Sequence, residues 1–209
     1  MVANDCTHVV MEVSSHAIAL ERVTGCEYMQ GIFTNFSQDH LDFHKNLEEY
    51  FETKAGFFTS IMQLPNSSQR AAIINGDDAY GKELIRRMKK AGIPLLTYGN
   101  DLGADFRAGD IKVRPGGLEY KLTCPLGKFR VDLPITGHFN VYNSLAAIAS
   151  AYQAGVSMEN ILKGISNVKP VPGRLEAVDK GQDFTVLVDY AHTPDSLANA
   201  LRAVRGLGS

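Results

Sequence analysis

The residues best suited to chemistry gather between Phe33 and Lys54. An apolar pair, Ile32 and Phe33, gives way to a polar stretch holding Asn35, Ser37, Asp39, His40, Asp42 and His44. Asn46 with Glu49 three residues later is a capping-box pattern, so a helix starts there. Leu47, Phe51, Phe58 and Ile61 form an apolar stripe on that helix, and Lys54 occupies the position that completes it. A lysine on a buried face is costly unless paired or neutralised. The alternative is a snorkelling side chain whose head reaches water. His40-x-Asp42-x-His44 is a string that a metallohydrolase would use, but one string without other clustered ligands is a weak signal. Glu12 closes an apolar run, Thr7 to Val13, that reads as a buried parallel strand. In open α/β sheets ligands bind at that end of the strands, and a solvated strand-end carboxylate is the plain alternative. Asn140 and Asn143 lie one turn apart on one face of a helix start. Asn140 would serve equally as a helix cap.

The elements that must position these residues follow from the pattern. After the first strand, Ser14-Ser15-His16 caps a short helix. Gly31–Asn35 is a second strand, followed by the Lys54 helix. Arg70–Asn75 is a third strand with Gly76-Asp77-Asp78 as its exit turn. Tyr80–Ala91 is a helix ended by Gly92, and Ile93–Tyr98 is a fourth strand. This alternation predicts an α/β fold with a doubly wound, mostly parallel sheet. Asp105–Ile135 lacks helical periodicity and predicts three short strands, an attached antiparallel β meander turning at Pro115-Gly116-Gly117 and Pro125-Leu126-Gly127. Asn140–Ala154 and Ser157–Ile165 are helices. Lys169–Gly173 is a proline-rich linker. Leu175–Asp179 and Phe184–Asp189 read as strands and Pro194–Arg205 as a helix, too little for a domain of its own.

Composition narrows the classes. The chain has 209 residues, 44% hydrophobic and 21% charged, with a net charge of −2. That describes an ordinary soluble globular protein without the basic footprint of a nucleic-acid binder. No apolar run approaches the roughly 20 residues of a membrane helix, and the start lacks the pattern of a signal peptide. Cys6, Cys26 and Cys124 match neither a disulfide framework nor metal-ligand spacing, so a cytoplasmic protein is expected.

Several stretches in order resemble the Mur ligases, most closely the UDP-N-acetylmuramoyl-tripeptide synthetases. They are MEVSSHAIALERV (11–23), FTNFSQDHLDFH (33–44), YFETK (50–54), GHFNVYNSLAAI (137–148), VPGRLE (171–176) and DYAHTPDSL (189–197). The resemblance implies ATP-dependent amide formation through an acyl phosphate. A UDP-MurNAc-dipeptide would receive a third amino acid for peptidoglycan. It further implies Mg2+ held by Glu12, His40 and a carbamylated Lys54, the three forming the catalytic group. Asn140, Asn143, Arg174, Asp189 and His192 would bind ATP, and Ser14, Ser15 and His16 the substrate. Asp195 shares the turn with His192. A monomer is the expected state, with small-molecule partners only.

The resemblance has gaps. Nothing between Met1 and Met11 matches the family's glycine-rich phosphate-binding loop, GxxGKT/S, and no UDP-binding domain precedes it. The expectation is therefore a Mur ligase central domain over 1–170 and the start of a Rossmann-like C-terminal domain over 171–209, inactive alone. A folylpolyglutamate-synthetase-like ligase, a non-catalytic domain of this fold and a metal-dependent hydrolase built on Asp39, His40, Asp42 and His44 stand as alternatives.

Overall fold

The computed structural model describes residues 2–37, 43–63, 70–114, 116–192 and 194–205. Among them a short helix comes first, α1 (Ser15–Ala19), followed by β1 (Gln30–Phe33), α2 (Leu47–Gln63), β2 (Ala71–Asn75), α3 (Ala79–Lys90) and β3 (Leu95–Gly99). Next come the meander strands β4 (Phe106–Arg114), β5 (Gly117–Cys124) and β6 (Gly127–Leu133), then α4 (Phe139–Gln153) and α5 (Met158–Ser166). A small hairpin, β7 (Glu176–Val178) and β8 (Val186–Val188), precedes α6 (Pro194–Arg205).

β1 to β6 make one sheet in sequence order. β1, β2, β3 and β4 pair in parallel, and β4–β5 and β5–β6 pair antiparallel. The meander is thus continuous with the parallel sheet. β7 and β8 form a separate antiparallel pair.

Helices cover both faces of the sheet, and β2 shows why. All five of its residues are buried. Ala72 and Ile74 join a cluster with Phe51, Phe58 and Ile61 of α2 and Leu84 and Met88 of α3. Ile73, pointing to the opposite face, joins a cluster with Val141, Leu145 and Ile148 of α4, Ile161 of α5 and the inner face of the meander. A strand buried on both sides reads as a continuous apolar run for this reason. α2 approaches β1 closely because Gly31 has no side chain. A Cβ there would lie 3.0 Å from the Phe58 ring.

The expected start at Asn46 is capped, with the Glu49 return bond falling one residue before the cap. Asn46 Oδ1 accepts from the Glu49 amide at 2.8 Å, and Glu49 Oε2 accepts from the Lys45 amide at 3.0 Å. Ser14 caps α1, Asp78 caps α3 and Ser157 caps α5.

The Thr7–Val13 strand does not form. Those residues run without a strand partner, and Val10 is 91% exposed. An apolar run becomes a strand only where a neighbour supplies a hydrogen-bonding ladder and a covered face. β1 stands at the sheet edge with its outer side open, yet no described strand pairs with 7–13. Glu12 therefore does not stand at a strand's carboxyl end but on an exposed irregular segment. Pro115, like Asp39, His40 and Asp42, lies outside the described residues. No described helix is long and apolar enough to cross a membrane.

Candidate active site

β1, β2 and β3 run parallel, so their carboxyl ends open on one edge, where α/β sheets bind ligands. Two groups of predicted site residues converge on that edge, joined by the turn after β2.

The first group surrounds Lys54. Its side chain is half-buried, with Nζ 4.9 Å from the Tyr50 ring centroid and 5.9 Å from that of Phe36. Cations are attracted to such ring faces. Its head lies beside two aromatic rings. Among the described residues no carboxylate pairs with it. Phe36 in turn packs on Tyr50 and Tyr80 at ring separations of 4.5 and 4.2 Å.

His44, which the sequence reading discounted, ties the serine–histidine segment to this group. It is 3% exposed and shares a 2.9 Å hydrogen bond with Oγ of Ser15, itself fully buried. Its ring stacks on Tyr50 with centroids 5.1 Å apart. His16 lies over Phe43 at 4.1 Å. Ser14 spends its hydroxyl on the Ala17 amide. Of the predicted substrate residues, Ser15 and His16 therefore stand closest to the Lys54 surroundings. Among the described residues no three His, Cys, Asp or Glu side chains gather as a metal group. His40 lies outside the described residues.

The second group sits at the start of α4. Asn140 is 7% exposed, and its Nδ2 donates to the Thr136 carbonyl at 2.6 Å. Its Oδ1 accepts from Nδ2 of Asn143 at 3.0 Å. The capping alternative for Asn140 fails, because the cap position is His138 and the Asn140 amide faces backward as a donor. Asn143 is exposed, and its Nδ2 is held by Asn140. Only the outer asparagine is placed to read a ligand edge, and the inner one fixes its rotamer.

Asp77 and Asp78 link the groups. Asp78 Oδ1 caps α3 through Tyr80 and Gly81, and its Oδ2 accepts from the Phe36 amide at 3.1 Å. Asp77 Oδ2 accepts from the Tyr142 hydroxyl at 2.8 Å and from the Asn100 amide at 2.7 Å. Burial, with the Asp77 carboxylate adding to it, pushes the Tyr142 phenol up to about 12. One turn therefore holds the loop under Lys54 with one carboxylate and the helix carrying Asn143 with the next. An open cleft of about 630 Å³ borders the same edge on the α3 side, lined by Gly76, Lys82, Thr97 and Asp101 among others.

The sequence reading named Gly76-Asp77-Asp78 only as a turn. The available signal was position: two carboxylates directly after a parallel strand. Tyr142 carried no signal beyond lying between Asn140 and Asn143.

The remaining predicted residues sit in the hairpin region. Asp189 accepts from the Leu175 amide at 2.9 Å and the Ala191 amide at 2.8 Å, one on each oxygen. Each oxygen keeps a further lone pair. Arg174 is exposed and directly precedes Leu175, whose amide Asp189 accepts, and His192 is exposed with its ring 4.9 Å from that of Tyr190. The Asp195 side chain is not described.

Comparison with known proteins gives a consistent picture. A model of the Mur ligase middle domain matches residues 1–151, and one of the Mur ligase glutamate ligase domain matches residues 173–209. The UDP-N-acetylmuramoyl-L-alanyl-D-glutamate–2,6-diaminopimelate ligase of Geobacillus thermodenitrificans is 44% identical over 206 residues, 98% of this chain and 42% of the relative. The ligase of the same name from Thermosynechococcus vestitus is 46% identical over 202 residues, 96% of this chain and 39% of the relative. A solved structure of a ligase of that name superposes with a TM-score of 0.79 at 33% identity, covering 94% of this chain and 39% of the other. The chain thus spans about 42% of the Geobacillus relative's length.

Proposed function

This chain belongs to the Mur ligase family, and from that premise we propose that it serves ATP-dependent amide formation on a UDP-N-acetylmuramoyl dipeptide. The carrying observation is 44% identity across 98% of the chain to a ligase named for joining 2,6-diaminopimelate to UDP-N-acetylmuramoyl-L-alanyl-D-glutamate. We therefore assign 2,6-diaminopimelate as the incoming amino acid, where the sequence alone left the choice open.

The chemistry has two steps. A substrate carboxylate attacks the γ-phosphorus of ATP and ADP leaves, giving an acyl phosphate. The amino group of the incoming acid then attacks the acyl carbon, phosphate leaves, and the amine proton passes to solvent. The product is one amide bond, and the setting would be the cytoplasmic stage of peptidoglycan synthesis, carried out by a monomer.

The residue roles proposed are those the family resemblance implies, and the geometry supports part of them. Asn143, held by Asn140, would bind the adenine edge. Asp189 has the spare acceptor capacity to take ribose hydroxyls, with Arg174 and His192 beside the nucleotide. His16, over Phe43, would meet the dipeptide substrate, while buried Ser15, bonded to His44, and Ser14 would order its turn. A carbamylated Lys54 with Glu12 and His40 would hold Mg2+, a hard-cation donor set of carboxylate, imidazole and carbamate. When bound, that ion supplies neutralisation of the phosphates and the developing oxyanion. The support is that no described carboxylate pairs with Lys54; the Tyr50 and Phe36 faces beside its nitrogen favour the ammonium form, so substitution decides between ammonium and carbamate. Adding CO2 would convert that amine into an anion.

The test is a chimera in which this chain replaces the matching 206 residues of the Geobacillus ligase. The expected result is phosphate release that requires ATP, the UDP-linked dipeptide and 2,6-diaminopimelate together. Release with ATP and the dipeptide but no dependence on 2,6-diaminopimelate would overturn the substrate assignment. Metal-dependent phosphatase activity that survives Lys54→Ala but not His40→Ala would instead favour the hydrolase reading.

A further inference from the structure

Asp77 accepts more hydrogen bonds than a turn of its length requires. Its Oδ2 takes the Tyr142 hydroxyl at 2.8 Å and the Asn100 amide at 2.7 Å, and its Oδ1 takes the Asp101 amide at 3.2 Å. Its own amide donates to Oδ1 of Asn75 at 3.0 Å, which fixes the turn from the other side. Asn100 Nδ2 donates to the Tyr142 oxygen at 2.9 Å, so carboxylate, amide and phenol close a triangle. The exit of β3 is shaped to this carboxylate. Gly99 has φ +155, and a Cβ there would lie 2.8 Å from the Asp77 carboxyl carbon. Tyr142 is the residue before Asn143 and lies in the same first turns of α4 as Asn140.

We propose that Asp77 is a positioning residue for the nucleotide side of the site: through Tyr142 and the 100–101 loop it fixes the start of α4, and with it Asn143. The proposal rests on the reading of Asn140 and Asn143 as the base-binding pair. It assigns Asp77 no contact with the nucleotide. Its neighbour Asp78 is tied to the Phe36 loop under Lys54, so the two carboxylates serve different halves of the site. Loss of Asp77 is therefore felt at the nucleotide before it is felt at the dipeptide substrate.

Asp77→Asn keeps the shape and removes the charge and one acceptor. In the 209-residue chain, amide hydrogen exchange is expected to quicken about tenfold at residues 100–101 and 140–145, the scale of one charge-assisted hydrogen bond. Amides of β2 and of the α3 interior should keep their rates. Tyr142→Phe should quicken 140–145 in the same way without changing 72–74. Unchanged exchange at α4 in both variants would overturn the proposal. In the chimera, Asp77→Asn is expected to raise KM for ATP about tenfold, the same single-bond scale, with KM for the UDP-linked dipeptide and kcat within about twofold. Asn143→Ala serves as the reference. If Asn143→Ala raises KM for ATP and Asp77→Asn does not, the positioning role falls. If Asn143→Ala leaves KM for ATP unchanged, the base-binding reading falls, and the exchange data alone judge whether Asp77 holds α4. An equal rise in both KM values for Asp77→Asn would mark a purely structural role and also overturn the proposal.

Discussion

At the scale of single residues, two side chains make their roles separable by substitution. Lys54 is the first. Lys54→Arg keeps a long cation over Tyr50 and Phe36 but removes the primary amine that can add CO2. If the lysine acts as a carbamate, Lys54→Arg should lower kcat of the chimera on the order of 10²-fold, like Lys54→Ala, with a melting temperature close to the parent's. Retained activity in Lys54→Arg would show that only the positive charge is needed. His44 is the second. It is buried against Ser15 Oγ and Tyr50, so truncation leaves a cavity and a buried hydroxyl that loses this imidazole. His44→Ala should therefore destabilise the chain by about 2–3 kcal/mol in urea unfolding. A loss below about 0.5 kcal/mol, the usual size for a surface change, would mean the imidazole is not packed as described.

At the scale of elements, α3 shows how a helix is aimed at a sheet edge. Asp78 caps it, and Gly81 lets its first turn press against the Asn75 carbonyl, into which a Cβ would run. Gly81→Ala improves intrinsic helix propensity by about 1 kcal/mol. It should nonetheless destabilise the protein, by roughly 1–3 kcal/mol, because the obstructing atom is backbone and cannot rotate away. A stabilised Gly81→Ala would show that α3 can move off β2. The solvent side of α3 carries a pH signature. Hydrogen bonds from Arg86 and then Arg87 hold the Glu83 carboxyl down to about 2, from an ordinary 4.5. A depressed carboxylate contributes stability that is fully present above pH 4.5 and is lost as the pH falls through about 2. The Glu83→Gln variant should show a flatter urea midpoint between those two values than the parent. Identical pH profiles would mean the exposed cluster adds nothing to stability, the common fate of surface pairs.

At the scale of the whole molecule, one sheet divides two apolar clusters, and β2 contributes to both. Either cluster exposes the back of the other's strand if it opens, so residues 30–168 should unfold as one unit. Ile73→Ala, on the α4 face, should lower stability by about 2–5 kcal/mol and leave a single transition. The hairpin and α6 are attached differently. β7 and β8 pair only with each other among the described strands, and Lys169 and Arg174 on the connecting segment are exposed. We propose a domain boundary near residues 170–171. Brief trypsin treatment should cut at Lys169 or Arg174 before any site in the sheet, leaving an amino-terminal product whose mass ends at one of those residues. First cleavage inside β2–β6 would argue against that boundary.

The sequence by itself determined whatever is written locally or in one period. The caps at Ser14, Asn46 and Ser157, the antiparallel meander and the bounds of α6 all follow from short-range hydrogen bonding and spacing. The motifs in order led to the family for the same reason, since each is a short stretch with fixed neighbours. Only the tertiary structure decided which groups meet. Thr7–Val13 has the composition of a strand yet pairs with no described strand, because strand formation depends on a long-range pairing that the run itself cannot specify. Asn140 and Asn143 are alike in sequence, yet burial makes one a support and leaves the other facing out. His44 bonds Ser15 across 29 positions, and Asp77 bonds Tyr142 across 65. Such pairings arise where β-strand exits and helix starts share an edge, and no local rule of spacing encodes them.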